Sequence, residues 1–413
     1  MTKIFKGAAV AVAVLNASAV SAGGLWLNEY GDFAGGRAAA GAAAGTDEAM
    51  TIAYNPASIS RLEGNQLFAS GGAIVGNMNF DIRYTTPRNG TDDGGNAGET
   101  APFASLAYVH DLGSDKWSAG IGVIPLAGAG IDYGDNWVGR YQATDVFIQV
   151  MALAPTLAYQ VTEQLSLGVT VQAYYADLDV DLAVPRVFPD RQDGKGELTG
   201  DDVDVGYTLG ALYELSERTR FGLFYQSEIK PKYDGDLKIR LDDAGPNELQ
   251  DLSRNIATDT ELPMAEYARF SVHQEMDERW AVDFTVGWDN WSTLNHVFVS
   301  TQDGQAGIPS DWHDTYHYAW GAQYKWDQRL TLTSGIAYDT NPVDASNRNA
   351  QLPVDRQVRY AAGARYALHD SLTIGGYVNY MDLGSARISG KRFGGDFDYN
   401  NATQLIVNMN WTF

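Results

Sequence analysis

The chain has 413 residues, no cysteine, 29 basic against 52 acidic residues, and a formal net charge of −23. Without cysteine there are no disulfides and no thiolate metal sites, and the acidic balance argues against nucleic acid or anionic lipid as a partner held by bulk charge. Mean hydropathy is −0.26, as for a soluble protein, but a membrane β-barrel hides its apolar residues at every second position and averages the same.

Residues 1–22 carry Lys3 and Lys6, an apolar run from Gly7 to Leu15 and a small-residue end at Val20-Ser21-Ala22. That is the order of a secretory signal peptide, with cleavage expected after Ala22. The run is shorter than the roughly 20 residues an anchoring helix needs. Residues 23–64 show no alternation. They are rich in Ala and Gly, are broken at Asn55-Pro56, and keep Leu25, Trp26, Leu27, Ile52 and Ile59. The apolar content favours a packed segment over a flexible periplasmic linker.

From residue 65 onward apolar and polar residues alternate, as in Trp280, Val282, Phe284, Val286 and Trp288, or Tyr316, Tyr318, Trp320, Ala322, Tyr324 and Trp326. Near the C-terminus Leu405, Val407, Met409, Trp411 and Phe413 are apolar, while the positions between them are polar except Ile406. Such a strand meets lipid on one face and a polar interior on the other. Short charged turns fall at 112–115, 162–164, 216–218, 277–279, 327–329 and 369–371, and long polar loops near 77–101, 126–143, 179–203, 230–264, 290–314, 339–357 and 381–402. Alternating short and long connections predict an all-β, transmembrane antiparallel barrel of about 14 strands over 65–413, with both chain ends periplasmic. A soluble sandwich or propeller would have shorter strands and less asymmetric loops. A terminal aromatic such as Phe413 suits recognition by the barrel-insertion machinery.

In the segment SAGIGVIPLAGAG, Pro125 lacks a ladder donor and Gly120, Gly122, Gly128 and Gly130 permit bulges. Asp177, Asp179 and Asp181 alternate on one strand face; they are a weak calcium candidate, and a solvated acidic face is the favoured reading. None of His110, His273, His296, His313, His317 and His369 sits in a nucleophile or metal motif. His313 and His317 would lie about 13 Å apart on a strand, too far for one metal. Neither catalysis, nor a cofactor, nor a metal is expected. Alternation points Arg359, Arg365, Lys325, His317, Arg269 and His273 into the lumen, where a cation can receive a ligand carboxylate or pair with Glu29, Asp47 or Glu48.

Gly24-Leu25-Trp26-Leu27-Asn28-Glu29-Tyr30, Gly36-Arg37-Ala38 and Asn55-Pro56-Ala57, with Gly139-Arg140-Tyr141, Pro155 to Tyr159, Trp291-Ser292 and Gly335 to Asp339 before Asn341-Pro342-Val343, resemble the FadL-type long-chain fatty acid transporters. The likeness runs from the mature N-terminus to Phe413. It implies an outer-membrane location in a Gram-negative bacterium, with 23–64 as a hatch inside the barrel carrying Asn28, Glu29, Arg37, Asn55 and Pro56. It also implies a lateral gate at Gly120, Gly122, Pro125 and Gly128. The expected function is uptake of long-chain fatty acids or similar hydrophobic compounds by a monomer. They are captured outside, held in the lumen and released through the wall among the outer-membrane lipids. Import of aromatic hydrocarbons on the same fold, and a solute-specific porin, are the alternatives.

Overall fold

Alternation with no helix-forming period leaves these segments only inter-strand partners for their backbone groups, and in a bilayer that requirement is met by closure. A computed structural model describes residues 26–186, 192–241, 254–301, 304–307 and 311–413. The signal peptide region and Gly24-Leu25 lie outside the described residues.

The wall consists of β1 (Gln66–Thr85), β2 (Thr100–Asp111), β3 (Trp117–Asp132), β4 (Asp145–Gln160), β5 (Leu165–Val184), β6 (Gly194–Ser216) and β7 (Thr219–Gln226). It continues through β8 (Tyr267–Glu275), β9 (Trp280–Asp289), β10 (Thr315–Lys325), β11 (Leu330–Asp339), β12 (Gln357–His369), β13 (Leu372–Asp382) and β14 (Phe393–Thr412). Each pairs antiparallel with its chain neighbour, and β1 closes the barrel on β14 from Gln66↔Thr412 to Thr85↔Phe393. The strand ends lie together at the rim, where Asn65 and Phe413 exchange backbone hydrogen bonds of 3.1 and 2.9 Å.

The faces are inverted relative to a soluble protein. On β14, Val407 is 69 % exposed and Leu405 48 %, whereas Gln404 is 2 %. Ile406, the break in the polar positions, also points inward, buried among inner apolar residues. Exposed Trp117, Tyr213, Trp280, Trp326, Tyr366, Trp411 and Phe413 mark the short-turn end, and Tyr207, Tyr316, Tyr338, Tyr360 and Tyr380 lie towards the other. These are interfacial aromatic belts.

Much of what the composition assigns to long loops is strand. β5 reaches Val184 and β6 begins at Gly194, so 179–203 is largely a hairpin continuing above the bilayer. Lys232–Arg240 pairs with β6 and with Arg254–Glu261, which pairs in turn with Phe298–Thr301. Polar residues kept the alternation going outside lipid, where nothing requires an apolar face.

Residues 26–62 run inside the barrel through 3₁₀ turns at Phe33–Arg37, Ala42–Ala44, Ala49–Ala53 and Pro56–Arg61. Asn55 caps the last, its side-chain oxygen accepting from Ala57 N–H at 3.0 Å, with Pro56 as the first residue of the turn. Small residues on both sides bring backbone against wall: a Cβ on Gly222 would meet the Ala43 oxygen at 1.9 Å, and one on Gly335 the Arg37 oxygen at 2.2 Å.

Candidate functional site

Two polar clusters join the inner segment to the wall. In the first, Arg359 of β12 is fully buried. It donates to Asp339 of β11 and lies 3.4 Å from the Glu29 carboxylate of the inner segment. His317 of β10 shares Asp339 at 2.9 Å, and Arg269 of β8 donates to Asp289 of β9 at 2.8 Å. In the second, the inner-segment Arg37 lies 3.5 Å from Asp47 and 3.6 Å from Asp283 of β9, and Arg365 of β12 lies 3.3 Å from Asp47. His273 and Gln323 complete the partners of Asp283 at 2.8 Å each.

Five of the six expected lumen cations or histidines, Arg359, Arg365, Arg269, His317 and His273, therefore reach the lumen, and each has an acidic partner. Lys325 does not: it is exposed at the short-turn end and lies 3.7 Å from Glu275. Alternation fixes the face of a strand residue but not its height, and Lys325 is the last residue of its strand.

Burial sets the charge states of the inner-segment acids. It raises Glu29 despite Arg359, and pushes Asp32 up to about 6 against the Tyr54 hydroxyl and Arg37. It carries Glu48 up to about 8, helped by the charge of Asp32. Asp47, equally buried, is held well below the usual range by Arg365 and Arg37. Asp32 and Glu48 face the same turn: Asp32 accepts from Ala34 N–H at 3.3 Å and from Tyr54 Oη at 2.8 Å, and Glu48 from Phe33 N–H at 2.5 Å.

Between these clusters lies a cavity of about 30 Å³ lined by Asn28, Tyr30, Tyr54, Phe224, Tyr267 and Arg269 among others. That is room for water alone, far below an acyl chain or an aromatic ring. Towards the outside, Phe80, Tyr133, Trp137, Phe393 and Phe397 pack together, with Tyr133 stacked on Trp137 at 3.8 Å. Apolar side chains run without interruption from this cluster to the inner segment.

The wall has a seam between β2 and β3 where the pairing is cut short. β2 pairs with β3 from Asp111↔Ser118 to Leu106↔Val123 and no further, although β3 continues to Asp132 and β2 begins at Thr100. Above the seam Gly98 bridges Ile131. The β3–β4 register shifts between Pro125 and Ala127, making Leu126 the extra residue of a bulge. Residues Ile124 to Ile131 are buried without alternation, so this part of β3 turns inwards. The inner segment meets both edges. Leu27 N–H donates to Leu126 O at 2.9 Å, and Ser105 of β2 donates to Tyr30 O at 2.5 Å. Pro125 and Gly128 lie in the inward-turning part, and Gly120 and Gly122 in the regular part, where Ile52 packs against them.

Asn28 lines the cavity, and Asn55 ties the segment to the wall by donating to Ala211 O at 3.0 Å and braces the segment internally by donating to Ala43 O at 2.6 Å. Asp181 pairs with Lys195 at 2.5 Å and Asp177 stands across from Asp201, and no group of three or more His, Asp or Glu close enough for a metal occurs among the described residues. Sequence reasoning missed Asp339, Asp289, Asn379, Gln404 and Ser105, all on inward-facing positions that alternation could have supplied.

Comparison with known proteins agrees with this architecture. The family model described as outer membrane protein transport protein (OMPP1/FadL/TodX) matches residues 13–413. The long-chain fatty acid transport protein of an Escherichia coli strain is 27 % identical over 406 residues, covering 90 % of each chain. Outer membrane protein P1 of Haemophilus influenzae is 27 % identical over 421 residues, covering 92 % of this chain and 88 % of its own. In fold, the chain is similar to the crystal structure of a Pseudomonas aeruginosa FadL homologue, with a TM-score of 0.87 at 19 % identity over 94 % of this chain and 100 % of the other. The Pseudomonas putida toluene transporter TodX gives 0.68 at 17 % identity over 93 % and 99 %.

Proposed function

Because the chain belongs to the outer membrane protein transport protein (OMPP1/FadL/TodX) family, we propose that it imports long-chain fatty acids or similar hydrophobic molecules and releases them sideways through the barrel wall. It is an outer-membrane transporter of hydrophobic compounds in a Gram-negative bacterium. The family is one of transporters and channels, and we assign the chain no catalytic role. Residues 23–64 act as the hatch and 65–413 as the barrel, working as a monomer with Phe413 as the insertion signal.

The observation that supports lateral release is the seam between β2 and β3, whose two edges are met by Leu27 and Tyr30 of the hatch. A hydrophobic molecule leaving there enters lipid and never crosses water. Tyr30, Met50 and Ile59 of the inner segment are buried in one apolar cluster with wall residues, so the hatch must shift before a bulky molecule passes. Deleting Leu126 together with Pro125→Ala removes the bulge and lets β3 continue against β2. Whole cells should then lose uptake of a fluorescent fatty acid while purified protein still binds it. Normal uptake by this variant would overturn release at the seam.

A second reading, import of neutral aromatic hydrocarbons, is favoured by the pairing of the lumen arginines Arg359, Arg365 and Arg269 with carboxylates. Competition of the tracer by toluene rather than by a fatty acid would select it. A solute-specific porin needs an aqueous bore, and conductance of the intact protein tests that.

A further inference from the structure

Beside the Arg359 cluster, polar atoms that face one another stay unpaired. Asn379 of β13 is fully buried, and Gln404 of β14 is 2 % exposed. The two are direct cross-strand partners. Neither the amide nitrogen nor the amide oxygen of Asn379 has a hydrogen-bond partner, nor has Gln404 Oε1. Tyr377, two residues before Asn379 on the same face, brings its buried hydroxyl near the Gly31 backbone without completing a hydrogen bond. Glu29 of the inner segment closes the group: the Asn379 amide bears on its carboxylate, its Oε1 meets Arg359 Nη1 as an ion pair at 3.4 Å, and Arg359 Nε is left without a hydrogen bond.

Buried polar groups are ordinarily paired, and each orphan forfeits its hydration for nothing. Here the orphans are concentrated where the inner segment meets the wall, and they include both donors and acceptors. Arg359 is already engaged by Asp339 and Glu29. An incoming anion would therefore face Glu29 and Asp339 with one cation between them. A group that both donates and accepts, and carries no charge, matches the set.

We propose that Glu29, Arg359, Tyr377, Asn379 and Gln404 form a head-group subsite that selects apolar molecules ending in an uncharged hydrogen-bonding group, a hydroxyl or a protonated carboxyl. The inference rests on the uptake reading above and adds the form of the ligand. The tail of such a molecule lies along the apolar lining that continues from the inner segment to Tyr133 and Trp137. The head enters beside Glu29, giving Asn379 and Gln404 the partners they lack.

The test uses full-length protein in lipid nanodiscs, with empty nanodiscs as background, and three radiolabelled probes of one chain length: dodecane, dodecan-1-ol and dodecanoate at pH 9. Two new hydrogen bonds predict that dodecan-1-ol binds about tenfold more tightly than dodecane, with dodecanoate below the alcohol. Asn379→Leu and, separately, Gln404→Met should each cut the alcohol-to-alkane ratio severalfold, and their heat-modifiable gel mobility reports that the barrel has folded. Equal binding of alcohol and alkane by the native protein would overturn the subsite, as would a ratio that survives both substitutions. Tightest binding of dodecanoate would replace it with an anion site. Failure of all three probes to bind would count against the uptake reading itself and remove the subsite with it.

Discussion

Gly222→Val tests whether residues 26–62 seal the lumen. A Cβ at Gly222 would lie 1.9 Å from Ala43 O, 2.2 Å from Ala43 C and 2.6 Å from Ala44 N. All three are backbone atoms, so no side chain can turn aside. Withdrawal of the Ala42–Ala44 turn from the wall would break Ala43 N–H to Ser271 Oγ at 3.2 Å and Arg220 Nε to Ala44 O at 3.1 Å. At about 1 kcal/mol for each bond and about 1–3 kcal/mol for overpacking, docking weakens by about 4 kcal/mol, close to three powers of ten in the closed-to-open ratio. Single-channel recording in planar bilayers at pH 5, where the native protein leaks least, should show ion current well above the native baseline. Gly71→Val is the control, since its Cβ would meet only Phe103 O at 3.9 Å. A folded Gly222→Val protein as silent as the native one would refute the sealing role.

Deleting residues 26–62 should leave a barrel that inserts and conducts, because the β1–β14 closure does not involve them; an unchanged conductance would mean they are no plug. Asp32 at about 6 and Glu48 at about 8 are both raised, so the docked segment binds more protons than the released one. Through these two acids docking is favoured most below the ordinary carboxylate range and loses that contribution until pH passes about 8, while Asp47, held low by Arg365, weakens docking again only in strong acid. Leak in the native protein should rise from pH 5 to 8 and then level off, and Glu48→Gln, which keeps an acceptor for Phe33 N–H, should flatten most of the rise. Arg359→Met leaves Asp339 and Glu29 without their cation, and a buried pair broken from one side costs about 3–5 kcal/mol. Its leak should exceed that of Arg365→Met, whose side chain is 27 % exposed.

The barrel was legible because its physics is repetitive: every second residue of Gln404 to Phe413 reports which side meets lipid, and each strand repeats the message. The outer limits of strands were not, since β5 and β6 continue as a polar hairpin where no lipid disciplines the sequence. Alternation also placed Arg359, Arg269 and His317 correctly but said nothing of partners, because Asp339 and Asp289 lie on other strands and meet them only after closure. The seam was half visible. Pro125 signals irregularity, but the inward turn depends on Leu27 reaching Leu126, a contact across roughly a hundred residues that no local pattern encodes.

The pairing of charges bears on how such a closed lumen can open. At the Arg359–Glu29, Arg37–Asp283 and Arg365–Asp47 contacts between segment and wall, at least one group also has a partner on its own side. Arg359 keeps Asp339, Asp283 keeps His273 and Gln323, and Arg37 keeps Asp47 when the two surfaces part. Release of the segment therefore leaves few bare buried charges, and the penalty that makes broken internal pairs so costly is largely avoided. Asp339→Asn removes that reserve. Arg359 would then depend on Glu29 at 3.4 Å as its counter-charge, and withdrawing the segment would strand a buried guanidinium. The variant should hold the inner segment more tightly: uptake of a fluorescent fatty acid by whole cells slows, bilayer conductance stays at the native baseline, and a further Glu29→Gln change, which removes the charge on the segment side, restores part of the uptake. Faster leak in Asp339→Asn would instead show that Asp339 holds the closed state, and that the wall carries no reserve.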